Sequence, residues 1–153
     1  MSTSLSKRSL FAGIWFALAA SIPVAYVFLP FGELKPKIIA DSELLTALVP
    51  ILISGLIGSF LGSSILNPAK TKSGWRASVR GFLISLLTYV LFIFLAAVSS
   101  IIPSDDPFNV IVFWGFGFLF GFYFVGWLIL LVGTLAGWLL FVLRMKIVNS
   151  LEP

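Results

Sequence analysis

Four long apolar runs, Leu10 to Leu29, Leu44 to Leu66, Gly81 to Ile102 and Phe108 to Leu143, contain no Asp, Glu, Lys or Arg. Each is long enough for the roughly 20 residues that carry a helix across a hydrocarbon core about 30 Å thick. Hydrophobic residues make up 59% of the 153-residue chain and charged residues 10%. A water-soluble domain averages roughly 45–50% and about 25%. So little charge cannot cover a water-facing surface, and lipid is the expected solvent. The expectation is an all-α membrane protein folded as one integral domain. Its helices are placed near residues 10–29, 44–66, 81–102 and 121–143.

The connections carry the charge. Residues 31–42 hold Glu33, Lys35, Lys37 and Asp41. Residues 67–80 hold Lys70, Lys72, Arg76 and Arg80 with no acid, and residues 103–107 hold Asp105 and Asp106 with no base. Lys7 and Arg8 open the chain, and Arg144 and Lys146 close the last run. Cytoplasmic loops accumulate Lys and Arg. Four crossings place all three basic regions on one side, so the expected topology is a four-transmembrane-helix bundle with N-in/C-in ends.

The fourth run is too long for one simple span, and residues 122–128 offer no polar turn. Tyr123 and Trp127 toward one end, with Trp138 and Phe141 toward the other, look like paired aromatic belts. At 1.5 Å per residue, Tyr123 to Phe141 covers about 27 Å. The crossing is therefore placed near 121–143. Residues 108–120 become an extra outer extension, either interfacial or a tilted first part of the same helix. The first run has a small-residue triplet, Ala17-Leu18-Ala19, of the kind signal peptidases cut. Its apolar character continues to Leu29, which favours an uncleaved anchor.

Local signals mark the ends. Asp106-Pro107 reads as an N-cap with Pro at the first helical position, and Asp41-Ser42-Glu43 supplies a cap and first-turn acid. Asn67-Pro68 and Ile102-Pro103 read as stops, and Pro23 as a kink inside the first helix.

Small residues recur at helical spacing: Gly13, Ala17, Ser21 and Ala25 in the first run; Ser54, Gly58, Gly62 and Gly55, Ser59, Ser63 in the second; Gly126, Gly133 and Gly137 in the fourth. Lipid gives helices no hydrophobic reason to associate, so close backbone approach at small residues takes that role. These faces are expected either to pack within the chain or to dock a membrane-protein partner or a second copy. Lys70, Lys72, Trp75, Arg76 and Arg80 form a basic cluster suited to anionic lipid headgroups or an acidic cytoplasmic partner. Trp75 suggests a loop lying on the membrane surface. A stretch alternating aromatics with glycine, residues 113–124, offers ring surfaces for lipid, a neighbouring subunit or an acyl chain.

Cys and His are absent. That removes thiolate and imidazole metal ligation, haem ligation by His, and Cys or His nucleophilic catalysis. Intramembrane charge, which ion-coupled transport usually needs, is missing too. Ser85, Thr88 and Thr134 are expected to bond backbone rather than react. No enzyme activity, cofactor or metal is expected, and no nucleic-acid partner. The expected role is an accessory, assembly or regulatory subunit that packs against a partner in a membrane, by default the bacterial cytoplasmic one. The alternative is a self-associating channel, a holin-like pore or a transporter of a hydrophobic or lipid substrate, with Ser54, Ser59, Ser63 and Ser64 along its path.

Overall fold

The computed structural model describes residues 2–28, 41–67, 69–101 and 106–151, with side chains given for 7–26, 48–67, 69–101 and 106–145. Among these residues the chain is all-helical, without strands. The helices are α1 (Ser2–Phe28), α2 (Asp41–Leu61), α3 (Gly74–Ile101), α4 (Pro107–Gly121) and α5 (Trp127–Leu151). A 3₁₀ turn (Gly62–Ser64) follows α2, and a π-helical segment (Phe122–Gly126) joins α4 to α5. Glu33, Lys35, Lys37 and Asp105 lie outside the described residues, as do the side chains of Asp41, Ser42 and Glu43.

Three helices are long and apolar enough to cross a membrane: Lys7–Tyr26, Gly74–Ile101 and Pro107–Met145, the last running through α4 into α5. Leu48–Ser64 is a shorter apolar stretch. None of the helices has an amphipathic stripe. A helix apolar on every side is stable only in lipid or deep in a core. Here the sides away from the bundle carry exposed Leu10, Phe60, Phe94, Phe113 and Leu135, which suits lipid.

Several boundaries differ from those the apolar runs suggest. α3 starts at Gly74, not Gly81, because nothing between them breaks a helix and Ser73 starts one. Its hydroxyl accepts from the Arg76 N–H at 3.5 Å and its carbonyl from the Ala77 N–H at 3.3 Å. Trp75, Arg76 and Arg80 are therefore helical, and the surface loop expected around Trp75 is corrected to the first turn of α3. α2 ends at Leu61 and tightens into the 3₁₀ turn, short of Asn67-Pro68. Hydropathy marks where lipid ends, whereas backbone hydrogen bonding continues into water or stops before it.

The extension over 108–120 is continuous with the last helix, since the π segment carries the helical path through residues 122–126. Asp106 caps its start: a carboxylate oxygen accepts from the Asn109 N–H at 3.2 Å, with Pro107 at the first helical position.

α1 packs along α2 and α3 along α5. Contacts of α2 with α3 and of α1 with α5 close the bundle, and the main neighbour of α4 is α3. The buried cluster is small: Ala12, Phe16, Ile65, Ala77, Ile84, Ala136 and Leu140. Trp15 Nε1 donates to Ala136 O at 3.0 Å, tying α1 to α5. Ser9 Oγ donates to Ser59 O at 2.8 Å, while Arg80 and Arg144 both reach the segment after α2. The starts of α1 and α3 and the ends of α2 and α5 thus meet at one end of the bundle.

Candidate functional site

The small-residue rows lie largely inside the chain. A Cβ placed on Gly55 would stand 3.3 Å from Ala17 Cβ, and one on Gly13 would stand 2.9 Å from Gly55 O and closer still to Ser59 Oγ. Gly58 and Gly62 form a seat for the fully buried Phe16, with imagined Cβ atoms 2.7 Å from its Cβ and 2.8 Å from its Cε2. On the other side of the bundle, a Cβ on Gly137 would stand 3.0 Å from Gly81 Cα, and one on Gly133 would stand 2.6 Å from Ser85 Cβ. These approaches bring backbone against backbone, where dispersion sums over many atoms. The remaining candidates lie elsewhere. Gly126 gives room to the Phe122 ring of its own helix segment. Ser21 and Ser63 donate to Leu18 O and Phe60 O, one turn back.

Away from these contacts the helices part around a half-open cavity of about 280 Å³. α1 contributes Ala20 and Pro23, α2 Pro50 and Ser54, α3 Thr88 and Tyr89, and the last helix Gly121, Val125 and Ile129. Three interruptions of regular helix border this one space: Pro23, Pro50 and the π segment. Each proline removes an intrahelical hydrogen bond and bends its helix. A π turn displaces one helical face relative to the next and is often found at functional sites.

The cavity wall is chemically quiet. Ser54 Oγ donates to Phe16 O at 3.0 Å, Thr88 Oγ1 to Ile84 O at 2.8 Å and the Tyr89 hydroxyl to Phe118 O at 2.9 Å. The Tyr89 ring lies against Phe118 and Phe122, with centroids 5.5 and 6.0 Å away. Among the described residues, no charged side chain lines the cavity. The other serines expected along a polar path also turn to backbone, Ser59 to Gly55 O and Ser64 to Leu61 O. What remains for an occupant to meet is mostly hydrocarbon.

The basic end has a different design. α2 ends with its carbonyls pointing into the following turn, where the negative end of the helix dipole favours cations. Arg144 is buried, 8% exposed, and donates through Nη1 to Ile65 O at 2.8 Å and Thr71 O at 3.0 Å. Its guanidinium lies 4.7 Å from the centre of the Phe141 ring. Arg80 donates to Ser64 O at 3.0 Å, Lys70 O at 3.1 Å and Thr71 Oγ1. Thr71 Oγ1 in turn donates to Ser64 O at 2.8 Å. Of the basic cluster expected to face anionic lipid or the cytoplasm, Arg80 turns its guanidinium onto the chain's own carbonyls, while Lys70, Lys72, Trp75 and Arg76 are exposed.

Sequence reasoning missed four features. The row Ala77, Gly81, Ser85 on α3 was visible as small residues every fourth position but overlooked. Pro50 was legible as an intrahelical proline. Arg144 read only as an orientation signal, because a single terminal arginine gives no sign of which carbonyls it will meet. Nothing in the sequence pairs Tyr89 with Phe118 across 29 positions.

Among the described residues no group of His, Cys, Asp or Glu could hold a metal ion. No protein-family model matches the chain, and no curated protein and no solved structure matches it.

Proposed function

We propose that this chain is a four-crossing integral membrane protein, with both ends in the cytoplasm, that holds a hydrophobic, lipid-like molecule between its helices and performs no covalent chemistry. The carrying observation is the apolar cavity bordered by Pro23, Pro50 and the π segment. A volume near the lower end of ligand pockets, roughly 300 Å³, with the hydroxyls of Ser54, Thr88 and Tyr89 bonded to backbone and Ser85 as the remaining hydroxyl of the wall, suits hydrocarbon better than ions. The absence of Cys and His from the sequence supports a binding role over catalysis. Gathering of the basic chain regions at one end supports the orientation.

The test is extraction of the purified protein with organic solvent and mass spectrometry of what is released. Wild type should carry an apolar species well above the level in empty micelles, and Val125→Trp, which fills the cavity, should lose it while staying folded. Equal amounts in wild type, variant and empty micelles would end this reading. Reporter tags after Lys72 and after Met145 should both report the cytoplasm.

A second reading, an accessory subunit that docks a larger membrane protein, is favoured by α4. That helix has no buried residue and exposes Phe108, Phe113, Phe116 and Phe120. A specific partner retained through mild detergent and lost with Phe116→Ala/Phe120→Ala would support it.

A further inference from the structure

At the basic end the cations divide into two sets. Arg80 and Arg144 spend their guanidinium N–H groups on the carbonyls of residues 64, 65, 70 and 71. The turn between α2 and α3 is further tied by the Asn67 carbonyl, which accepts from the Lys70 and Thr71 N–H groups at 3.1 Å each. Six hydrogen bonds thus fix a short stretch of backbone that has no regular structure of its own. The outer set stands on that fixed stretch and on the first turn of α3. Lys70, Lys72 and Arg76 are exposed, and Trp75 between them is 77% exposed.

Exposed tryptophan is costly in water and favoured where headgroups meet acyl chains. Trp138 of α5 lies beside the same turn, its Cδ1 3.2 Å from where a Cβ on Gly74 would sit. Lys7 and Arg8 of α1 are exposed at this same end, brought there by the bond from Ser9 to Ser59. The one acidic side chain described, Asp106, caps α4 beyond the far end of α3. Positive charge at this depth therefore meets no neutralising carboxylate among the described residues.

We infer that Lys70, Lys72 and Arg76, held in place by Arg80 and Arg144 and levelled by Trp75, form a binding site for the phosphate of an anionic phospholipid. An acidic soluble protein would also be drawn to the charge, but a tryptophan set among cations at the end of apolar helices is the pattern of a headgroup boundary. Lysine and arginine near a lipid surface each attract anionic headgroups with an energy equivalent to about a fivefold preference. Arg80 and Arg144 act as positioning residues, because the bonds they make run to the chain's own turn.

The experiment is native mass spectrometry of the full-length protein released from nanodiscs holding equal amounts of phosphatidylglycerol and phosphatidylcholine. Wild type should retain phosphatidylglycerol in excess, and each of Lys70→Gln, Lys72→Gln and Arg76→Gln should lower that excess by about fivefold. Lys7→Gln/Arg8→Gln should lower it less. Soluble glycerol 3-phosphate should not compete, because it lacks the acyl chains that place the headgroup beside Trp75. Trp75 provides a second readout that does not depend on retention through ionisation. Fluorescence quenching by brominated phosphatidylglycerol should exceed that by brominated phosphatidylcholine, and Trp75→Phe should reduce the difference to what Trp138 beside the same turn contributes. Equal retention of the two lipids by wild type would overturn the inference. So would an undiminished preference in the triple Gln variant, or competition by the soluble phosphate alone.

Discussion

The approach of α3 to α5 sets a test of how this bundle is held together. Gly81→Ala adds one methyl group where the imagined Cβ stands 2.9 Å from Gly137 Cα and closer still to Gly133 O. Ordinary contact begins at 3.4 Å, so the helices must separate by at least 0.5 Å to clear Gly137 Cα and by more to clear Gly133 O. Both obstacles are backbone, and no side-chain rotation relieves them. A radial gap of about 0.5 Å forfeits roughly a quarter of a dispersion well, and a buried side chain makes some 40 contacts of about 0.15 kcal/mol. One side chain's worth of contacts then loses about 1.5 kcal/mol. Overpacking strain adds about 1–3 kcal/mol. Alanine returns up to about 1 kcal/mol through its better helix propensity, so the net loss is about 1.5–4.5 kcal/mol. In lipid this loss has no hydrophobic term to offset it. The control is Gly115→Ala on α4, where an added Cβ meets nothing within 4 Å and propensity alone should stabilise slightly. Reversible unfolding in mixed micelles, followed by helical circular dichroism or by steric trapping, measures both. A Gly81→Ala protein as stable as Gly115→Ala would refute the view that backbone contact between α3 and α5 carries the fold.

Other substitutions probe separate contacts. Arg144→Met should destabilise by about 3 kcal/mol, since it leaves the carbonyls of Ile65 and Thr71 without a charged donor; Arg144→Lys should rescue little, having no planar fork to span both. The loss would show as a lower unfolding midpoint and faster proteolysis between residues 65 and 73. Phe16→Ala should cost about 3–5 kcal/mol by emptying the seat formed by Gly58 and Gly62, measured in the same unfolding assay. Trp15→Phe keeps the ring and removes only the bond to Ala136 O, so a loss near 1 kcal/mol is expected; a change below the error of the assay would mark that bond as energetically idle.

The helical class and the lipid setting were legible because both follow from one-dimensional facts: uninterrupted apolar runs and charges at their ends. The rows at Gly13, Gly55, Gly133 and Gly137 were legible as small residues at helical spacing, but not their mates. Spacing says that a face permits close approach without saying which helix takes it up. The cap at Asp106 was legible because capping is local, between residues three apart. Arg80 shows the opposite case. Its charge suggested contact with lipid headgroups or the cytoplasm, yet its neighbours are carbonyls of the turn between α2 and α3. The cavity was least legible of all, since empty space arises from Pro23, Pro50 and residues 122–126 meeting at one level, and levels depend on how the helices align in three dimensions.

The helix from Pro107 to Met145 is 39 residues long, which at 1.5 Å per residue makes a rod of about 58 Å. A hydrocarbon slab of about 30 Å would contain such a rod only at a lean of about 60°, beyond the roughly 40° that membrane helices reach. A helix of this length either extends past the hydrocarbon or bends within it, and the π segment is where a bend would fall. With a bend there, a thicker or thinner bilayer would change the angle demanded, and Gly121 just before the joint and Val125 within it also wall the cavity. A bend at that joint would link membrane thickness to cavity shape, and it predicts that occupancy measured in short-chain and long-chain lipids differs even where headgroup composition is held constant.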